Sequence, residues 1–188
     1  MSTLPPIPVF DIVRIKEFPN FSTAEILKIA NMFINYCKLD IQSISPIGKI
    51  AQRIAIGKQT YSWNKYRGSS PYSYVICRWF SDENEEPIFR PAIIKTIYGI
   101  EATDEAGISK LYWIAELDWF KEHPKKNHFG FNSHIKVWDS IYEPTNNSTF
   151  IPITFIKSRY VYQKELFDFG DYEDSVVLSI NLPFQSFL

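Results

Sequence analysis

The chain has few of the residues on which several functional classes depend. It carries two cysteines and seven glycines in 188 residues, and its 20 basic and 21 acidic side chains leave a formal net charge of −1. Two cysteines are too few for the disulfide framework of a secreted domain of this size. A balanced charge excludes a strong overall attraction to nucleic acid or anionic lipid. We therefore expect an intracellular protein in which Cys37 and Cys77 are reduced and buried.

Recognisable enzyme and targeting motifs are also missing. The chain has no Gly-rich phosphate-binding loop, and no G-x-S-x-G motif accompanies Ser133, His134 and Asp139. No run of 18 apolar residues predicts a membrane span. The first residues lack the basic and apolar regions of a signal peptide. These absences favour a binding protein over an enzyme, and we expect no cofactor.

Aromatic residues are abundant, at 16% of the chain. Aromatic and β-branched side chains favour pleated, half-buried strands. They dominate residues 92–120, where a polar segment, residues 102–109, interrupts two apolar runs and Gly107 can supply the positive φ of a turn. We interpret this stretch as a long β-hairpin at the centre of a sheet.

One segment has the periodicity of an amphipathic helix. Ser22 or Thr23 offers an N-cap, and the apolar residues that follow repeat at helical spacing. The sequence therefore predicts a helix over about 22–37, packed on the sheet. Residues 1–8 are rich in proline and predict a flexible arm. Residues 41–48, with serines, a proline and a glycine, are interpreted as a linker.

The remaining segments predict short strands joined by polar turns. Residues 49–63 fit either a short helix or a strand, and residues 164–174 are acidic and aromatic. Near-regular strands of this kind indicate a bent sheet or a small barrel. We expect a mainly β (α+β) fold, an SH3-like or BAH-like barrel with one packed N-terminal helix, as a single domain over 9–188. The predicted strands are 9–18, 72–80, 135–142, 150–156 and 176–180.

Two groups of residues are candidates for binding. Rings on neighbouring strands could form a cage for a methylated lysine beside a carboxylate, although core packing also explains them. The cage candidates are Trp79, Tyr112, Trp113, Trp119, Trp138, Glu116 and Asp118. Basic side chains of the following loop could hold phosphates without reading sequence, although a solvated loop also explains them. The basic candidates are Lys121, Lys125, Lys126, Lys65 and Arg67.

A metal-dependent nuclease is the alternative hypothesis, with Glu116, Asp118 and His123 as its residues. Two carboxylates on one face of a strand suit metal-assisted hydrolysis, but the lysine expected two residues after the glutamate is an aspartate here. Pairing of the carboxylates with Lys95 or Lys110 is the simpler explanation. The three histidines share one loop region, residues 123–134, at no standard zinc spacing. We therefore expect no metal site.

The order of motifs over roughly residues 72–162 resembles the bromo-adjacent homology (BAH) domain. The resemblance rests on Asp118-Trp119-Phe120, the charged loop 121–134, the segment 136–140 and the proline-marked strand 150–153. It implies a role in chromatin or in nuclear protein–protein contact, with a histone or a nucleosome as the candidate partner. Weak contact with DNA or RNA is expected from the basic loop instead.

Residues 134–162 are also similar to multicopy fungal proteins associated with mobile elements, a resemblance that implies no activity. The sequence thus leaves three hypotheses. The first is a non-catalytic module for protein–protein interaction in a chromatin or mobile-element context. The second is a metal-dependent nuclease or processing enzyme of such an element. The third is a structural interaction domain with no role in nucleic-acid binding.

Overall fold

The computed structural model of the protein describes residues 9–18, 20–56, 59–63, 72–79, 88–144 and 148–181, with the backbone alone for 9–18. The fold is mainly β, with a single short α-helix and a sheet that curls strongly into a half-barrel. This confirms the predicted fold class. Of the sequence predictions, the N-terminal arm, Lys65 and Arg67 lie outside the described residues.

Eleven strands and one α-helix occur in the described part of the chain. A π-helical turn, Phe33–Cys37, continues the α-helix, and a 3₁₀ turn, Ile153–Phe155, separates two strands. In chain order the elements are β1 (Val9–Phe18), α1 (Thr23–Met32), β2 (Ile41–Ile56), β3 (Gln59–Ser62), β4 (Tyr74–Trp79), β5 (Ile88–Asp104), β6 (Ser109–Glu122), β7 (Ile135–Tyr142), β8 (Phe150–Pro152), β9 (Ile156–Arg159), β10 (Val161–Asp168) and β11 (Glu173–Ile180).

The described strands form one antiparallel sheet. Its main path runs β1-β2-β5-β6-β7-β11-β10, with β3 beside β2, β8 beside β6, and β4 between β5 and β9. The hairpin β5–β6 lies in the middle of this path. The hairpin β10–β11 ends the path beyond β7 and contributes to the candidate site.

The central hairpin forms where the sequence predicts it. Strands β5 and β6 pair from Ala92 opposite Trp119 to Thr103 opposite Ser109. The turn has Gly107 at a φ of 78°, and the Asp104 carboxylate accepts the Ile108 N–H at 2.9 Å. A glycine adopts this left-handed conformation without a steric penalty, which is why the polar interruption reverses the chain.

The helix also forms as predicted. Ser22 is its N-cap, and a capping box with Glu25 satisfies the first free N–H groups. Ile29, Met32 and Phe33 are buried against the sheet. The final turn is π-helical, and Lys38 ends it in the left-handed region at a φ of 53°.

The interpretation of residues 41–48 as a linker is wrong, because they form the first part of β2. The pairing of β2 with β5 shifts register between Ile44 and Gly48. Pro46 lies inside this irregularity and its carbonyl accepts the Phe21 N–H at 2.8 Å. A proline is tolerated at a bulge because no ladder hydrogen bond needs its missing N–H. Residues 49–56 are strand, not helix.

The other predicted strands form with modest changes of length, except that 150–156 is a strand only as far as Pro152 before the 3₁₀ turn. Cys37 and Cys77 are buried free thiols, as expected. Burial raises the pKa of Cys37 to about 11 and raises that of Cys77 as well. Among the described residues no helix is long and apolar enough to cross a bilayer.

Candidate binding surface

The aromatic candidates for a cage lie in separate places. Trp79 and Trp119 meet edge to face with centroids 4.9 Å apart. Tyr112 instead packs edge-on against Phe33 of the helical segment, at 4.8 Å. The Trp113 ring covers Gly99, where an added Cβ would lie only 3.0 Å from the ring. The five candidate rings therefore do not converge on one point.

Two of the tryptophans flank a cation that belongs to the chain itself. The Arg90 guanidinium lies 4.2 Å from the centre of the Trp79 ring and 5.6 Å from that of Trp138. Its Nη2 donates to the Phe120 carbonyl at 2.7 Å and to the Glu143 carboxylate at 2.8 Å. Arg90 is only 6% exposed. The rings thus stabilise an internal cation, in agreement with the core-packing explanation.

Glu116 and Asp118 are bridged by a lysine. The Lys95 Nζ lies 2.9 Å from Glu116 and 3.7 Å from Asp118. Tyr98 also donates its hydroxyl to Glu116 at 3.0 Å. Desolvation raises the pKa of Asp118 above its ordinary value, an effect that the Lys95 charge opposes. The two carboxylates therefore pair with Lys95, as expected if they do not form a nuclease site.

His123 lies in a different group of potential ligands. Its Nε2 is 3.4 Å from the Asp174 carboxylate and 4.0 Å from that of Asp139. His123, Asp139 and Asp174 each offer one possible metal ligand, and these three ligand atoms lie within 4.8 Å of one another. They are the group of three histidine, cysteine or carboxylate side chains that meets this distance among the described residues. Glu116 and Asp118 do not belong to it, so the three residues proposed for a nuclease do not form one site. His123 is 2% exposed, so its side chain is buried although the residue begins a polar loop.

The hydrogen bonds of His123 show what its group can do chemically. The Lys125 N–H donates to Nδ1 at 3.0 Å, which places the imidazole proton on Nε2. In metal-bound histidines the ring nitrogen away from the metal normally donates a hydrogen bond, whereas here it accepts one. A metal at Nε2 would therefore require the Lys125 bond to break. The geometry suits an N–H donor that bonds to the Asp174 carboxylate, with the Asp139 carboxylate 4.0 Å away.

The side chains of the basic loop form more contacts within the protein than a solvated loop would. Lys126 pairs with Glu122 at 3.2 Å, and its ammonium lies 4.8 Å from the centre of the Trp138 ring. Lys136 closes the loop, since its Nζ donates to the Asn127 side chain and to two loop carbonyls at 2.6 to 3.1 Å. Lys125 of the loop and Lys121 at the end of β6 are exposed, so these two remain candidates for phosphate contact.

A cluster of aromatic rings outside the two larger cores was not anticipated. The rings come from the loop 123–134 and from the hairpin β10–β11, and successive centroids lie 4.8 to 5.6 Å apart. We call it the loop–hairpin surface, and its members are His128, Phe129, Phe167, Phe169 and Tyr172.

The loop–hairpin surface is accessible to a partner. Phe129 and Tyr172 are each 39% exposed, and Phe131, further along the loop, is 81% exposed. Phe167 and Phe169 pack on a small core cluster formed by β7 and β11. The His123 ring stacks on Phe169 with centroids 5.2 Å apart and planes 16° apart, which connects the surface to the histidine–carboxylate group.

The sequence does not predict the loop–hairpin surface or the group of His123, Asp139 and Asp174, because both depend on the pairing of strands that are distant in sequence. Residues 164–174 stand out as acidic and aromatic, but no spacing links them to the loop that begins about 40 residues earlier. The contact arises because β11 pairs with β7, which sets Val176 opposite Asp139. Only that register brings Asp174 to His123 and Phe167 to His128.

Comparisons with known proteins return no relative. No family model matches the chain, and neither the curated proteins nor the solved structures contain a significant match. The function therefore has to be argued from the surface itself.

Proposed function

We propose that the protein is a non-catalytic binding module that holds a protein partner on the loop–hairpin surface. The observation that carries the proposal is a connected set of rings at the surface rather than in the main cores. Contiguous exposed apolar groups often mark interaction sites. Aromatic residues also contribute a large share of the binding energy at interfaces.

The construction of the surface supports this proposal. The Lys136 ammonium fixes the loop, and stacking on the buried His123 holds Phe169 in place. Rings fixed in this way lose little conformational freedom when a partner binds, so more of the contact energy appears as affinity. The same reasoning does not extend to Trp119 and Trp138, which are 2% exposed.

The resemblance to BAH domains supports a chromatin partner, such as a histone or a nucleosome, in the nucleus or in the context of a mobile element. The charged loop that carries part of the resemblance also carries Phe129. Contact with nucleic acid would fall to Lys121 and Lys125, and we propose it as a secondary and weak contribution. The nuclease hypothesis has less support, because Lys95 occupies the carboxylates on which it depends.

The test is a titration of the protein against nucleosomes, modified histone-tail peptides and free DNA, at low and at physiological salt. The variant Phe129→Ala/Tyr172→Ala removes two exposed rings, and Leu27→Ala, which shortens a 64% exposed side chain of the helix, is the matched control. We expect saturable binding to a protein ligand that persists in salt and weakens by about tenfold or more in the double variant only.

Two outcomes would contradict the proposal. Equal affinities for the double variant and the control would remove the loop–hairpin surface from binding. Binding to DNA alone that disappears with salt would reduce the function to a phosphate contact by the loop lysines.

A further inference from the structure

Strand β10 lies at an edge of the sheet. Among the described strands it pairs only with β11, over the full length from Val161 opposite Ile180 to Asp168 opposite Glu173. An edge strand presents unpaired N–H and C=O groups with which another chain can pair.

The register of the hairpin identifies which backbone groups point outward. The Phe169 N–H donates to the Tyr172 carbonyl at 2.9 Å, so these two residues form a hydrogen-bonded pair at the turn. Hydrogen-bonded and non-hydrogen-bonded pairs alternate along an antiparallel ladder. The odd-numbered residues of β10 therefore bond to β11, and the even-numbered ones direct their backbone groups to the open edge. The outward residues are Tyr162, Lys164, Leu166 and Asp168.

The loop–hairpin surface reaches this edge. Phe167 belongs to β10 itself, and its ring contacts those of His128 and Phe129. A strand added beside β10 would place one side chain opposite Phe167, with about 5 Å between the Cβ atoms. An extended partner segment could thus use the open backbone and the aromatic surface together.

The charge of the hairpin β10–β11 indicates which side chains the partner segment would carry. Residues 163–174 contain one basic side chain, Lys164, and five carboxylates, of Glu165, Asp168, Asp171, Glu173 and Asp174. Asp171 and Glu173 are exposed and form no ion pair with another described residue. On the loop side, Lys126 is already paired with Glu122, and Lys136 is bound to loop carbonyls. Carboxylates of this kind attract lysine and arginine and repel acidic chains.

We propose that a protein partner binds by adding an extended, lysine- or arginine-rich segment as a new strand to the open edge of β10. This inference rests on the proposed function, because it specifies how the partner occupies the same site. In such strand addition, main-chain hydrogen bonds supply affinity and alternate side chains supply specificity. Alternate apolar side chains of the segment contact Phe167 and its neighbours, and the basic ones meet the carboxylates of the turn.

The experiment is amide hydrogen exchange of the full chain, read by NMR, with and without a peptide of about ten residues that alternates lysine and valine. In the free protein the amides of Gln163 and Glu165 should exchange slowly and those of Lys164 and Leu166 rapidly. The peptide should slow exchange at Lys164 and Leu166 by about tenfold or more. A peptide that alternates glutamate and valine is the control and should leave these rates unchanged.

A backbone variant tests the same edge independently. Leu166→Pro removes an outward N–H while it leaves the bonds to β11 in place, and an edge strand tolerates such a proline. Leu166→Thr keeps the N–H and is the matched control. We expect peptide binding to weaken by about tenfold or more in the proline variant alone.

Three results would overturn the inference. They are slow exchange at Lys164 and Leu166 in the free protein, equal protection by the basic and acidic peptides, and full binding by the proline variant. If Phe129→Ala/Tyr172→Ala loses the partner and Leu166→Pro retains it, strand addition fails and the proposed function stands. If neither variant loses the partner, both fail.

Discussion

Arg90 shows how single residues govern this fold. Its guanidinium lies between two tryptophan rings, donates to a backbone carbonyl and pairs with Glu143, whose side chain is 22% exposed. A buried charge is stable only when such partners replace the water it has lost. Arg90 of β5 thus contacts Trp79 of the neighbouring strand β4 and Trp138 of β7, which is not adjacent to β5 in the sheet.

We expect Arg90→Met to lower the free energy of unfolding by about 3 kcal/mol, because it leaves the Glu143 carboxylate and the Phe120 carbonyl without their donor. Chemical denaturation in urea measures this loss. Arg90→Lys, which keeps the charge without the planar donor group, should lose less. A change below about 1 kcal/mol in Arg90→Met would show that the cation contributes little.

Two buried tyrosines provide a matched pair. Tyr36 donates its hydroxyl to Ser148 at 2.8 Å, whereas the Tyr160 hydroxyl has no hydrogen-bond partner among the described residues. Tyr36→Phe should therefore lower the free energy of unfolding by about 1 kcal/mol, and Tyr160→Phe should leave it unchanged or raise it by about 1 kcal/mol. Urea denaturation of both variants checks this, and a larger loss in Tyr160→Phe would contradict it.

Among the elements, the loop 123–134 depends on one side chain of the strand that follows it. Lys136 binds the Asn127 side chain and the carbonyls of Gly130 and Phe131. Lys136→Met should speed amide exchange across the loop by about tenfold and weaken partner binding, because Phe129 is then no longer held in place. Lys125→Met removes an exposed ammonium of the same loop and is the control. Equal exchange rates in the two variants would contradict this role of Lys136.

The elements that local signals define could be predicted from the sequence. Ser22 and Glu25 specify the start of the helix, and Gly107 specifies the turn of the central hairpin, because each acts on neighbouring residues. Residues 41–48 could not be assigned correctly, since the bulge that accepts Pro46 depends on pairing with β5. The loop–hairpin surface could not be predicted either, because its loop and its hairpin meet only through the pairing of β7 with β11.

In the whole molecule, the buried phenol groups predict sensitivity to alkali. Desolvation by burial raises the pKa of Tyr61 to about 12, and it also raises the pKa of Tyr160. In the unfolded chain these groups ionise near pH 10. The native state therefore retains their protons when the unfolded chain loses them, which favours unfolding as the pH rises.

The contribution of these groups should be fully present below about pH 10 and lost as the pH approaches 12. The pKa of Lys95, raised chiefly by its hydrogen bond to Glu116, acts in the same direction. Urea denaturation at a series of pH values, together with phenolate absorbance, measures the effect. Ionisation of every tyrosine near pH 10 with the fold intact would contradict it.

The central claim is that the protein binds a protein partner on the loop–hairpin surface. The measurement that tests it most directly is a map of NMR chemical-shift changes on the full chain at saturation with the best ligand of the titration series. Our account predicts that the changes concentrate at His128, Phe129, Phe167, Phe169 and Tyr172 and extend along β10. Changes centred on Lys95, Glu116 and Asp118, with the loop–hairpin surface unaffected, would contradict it.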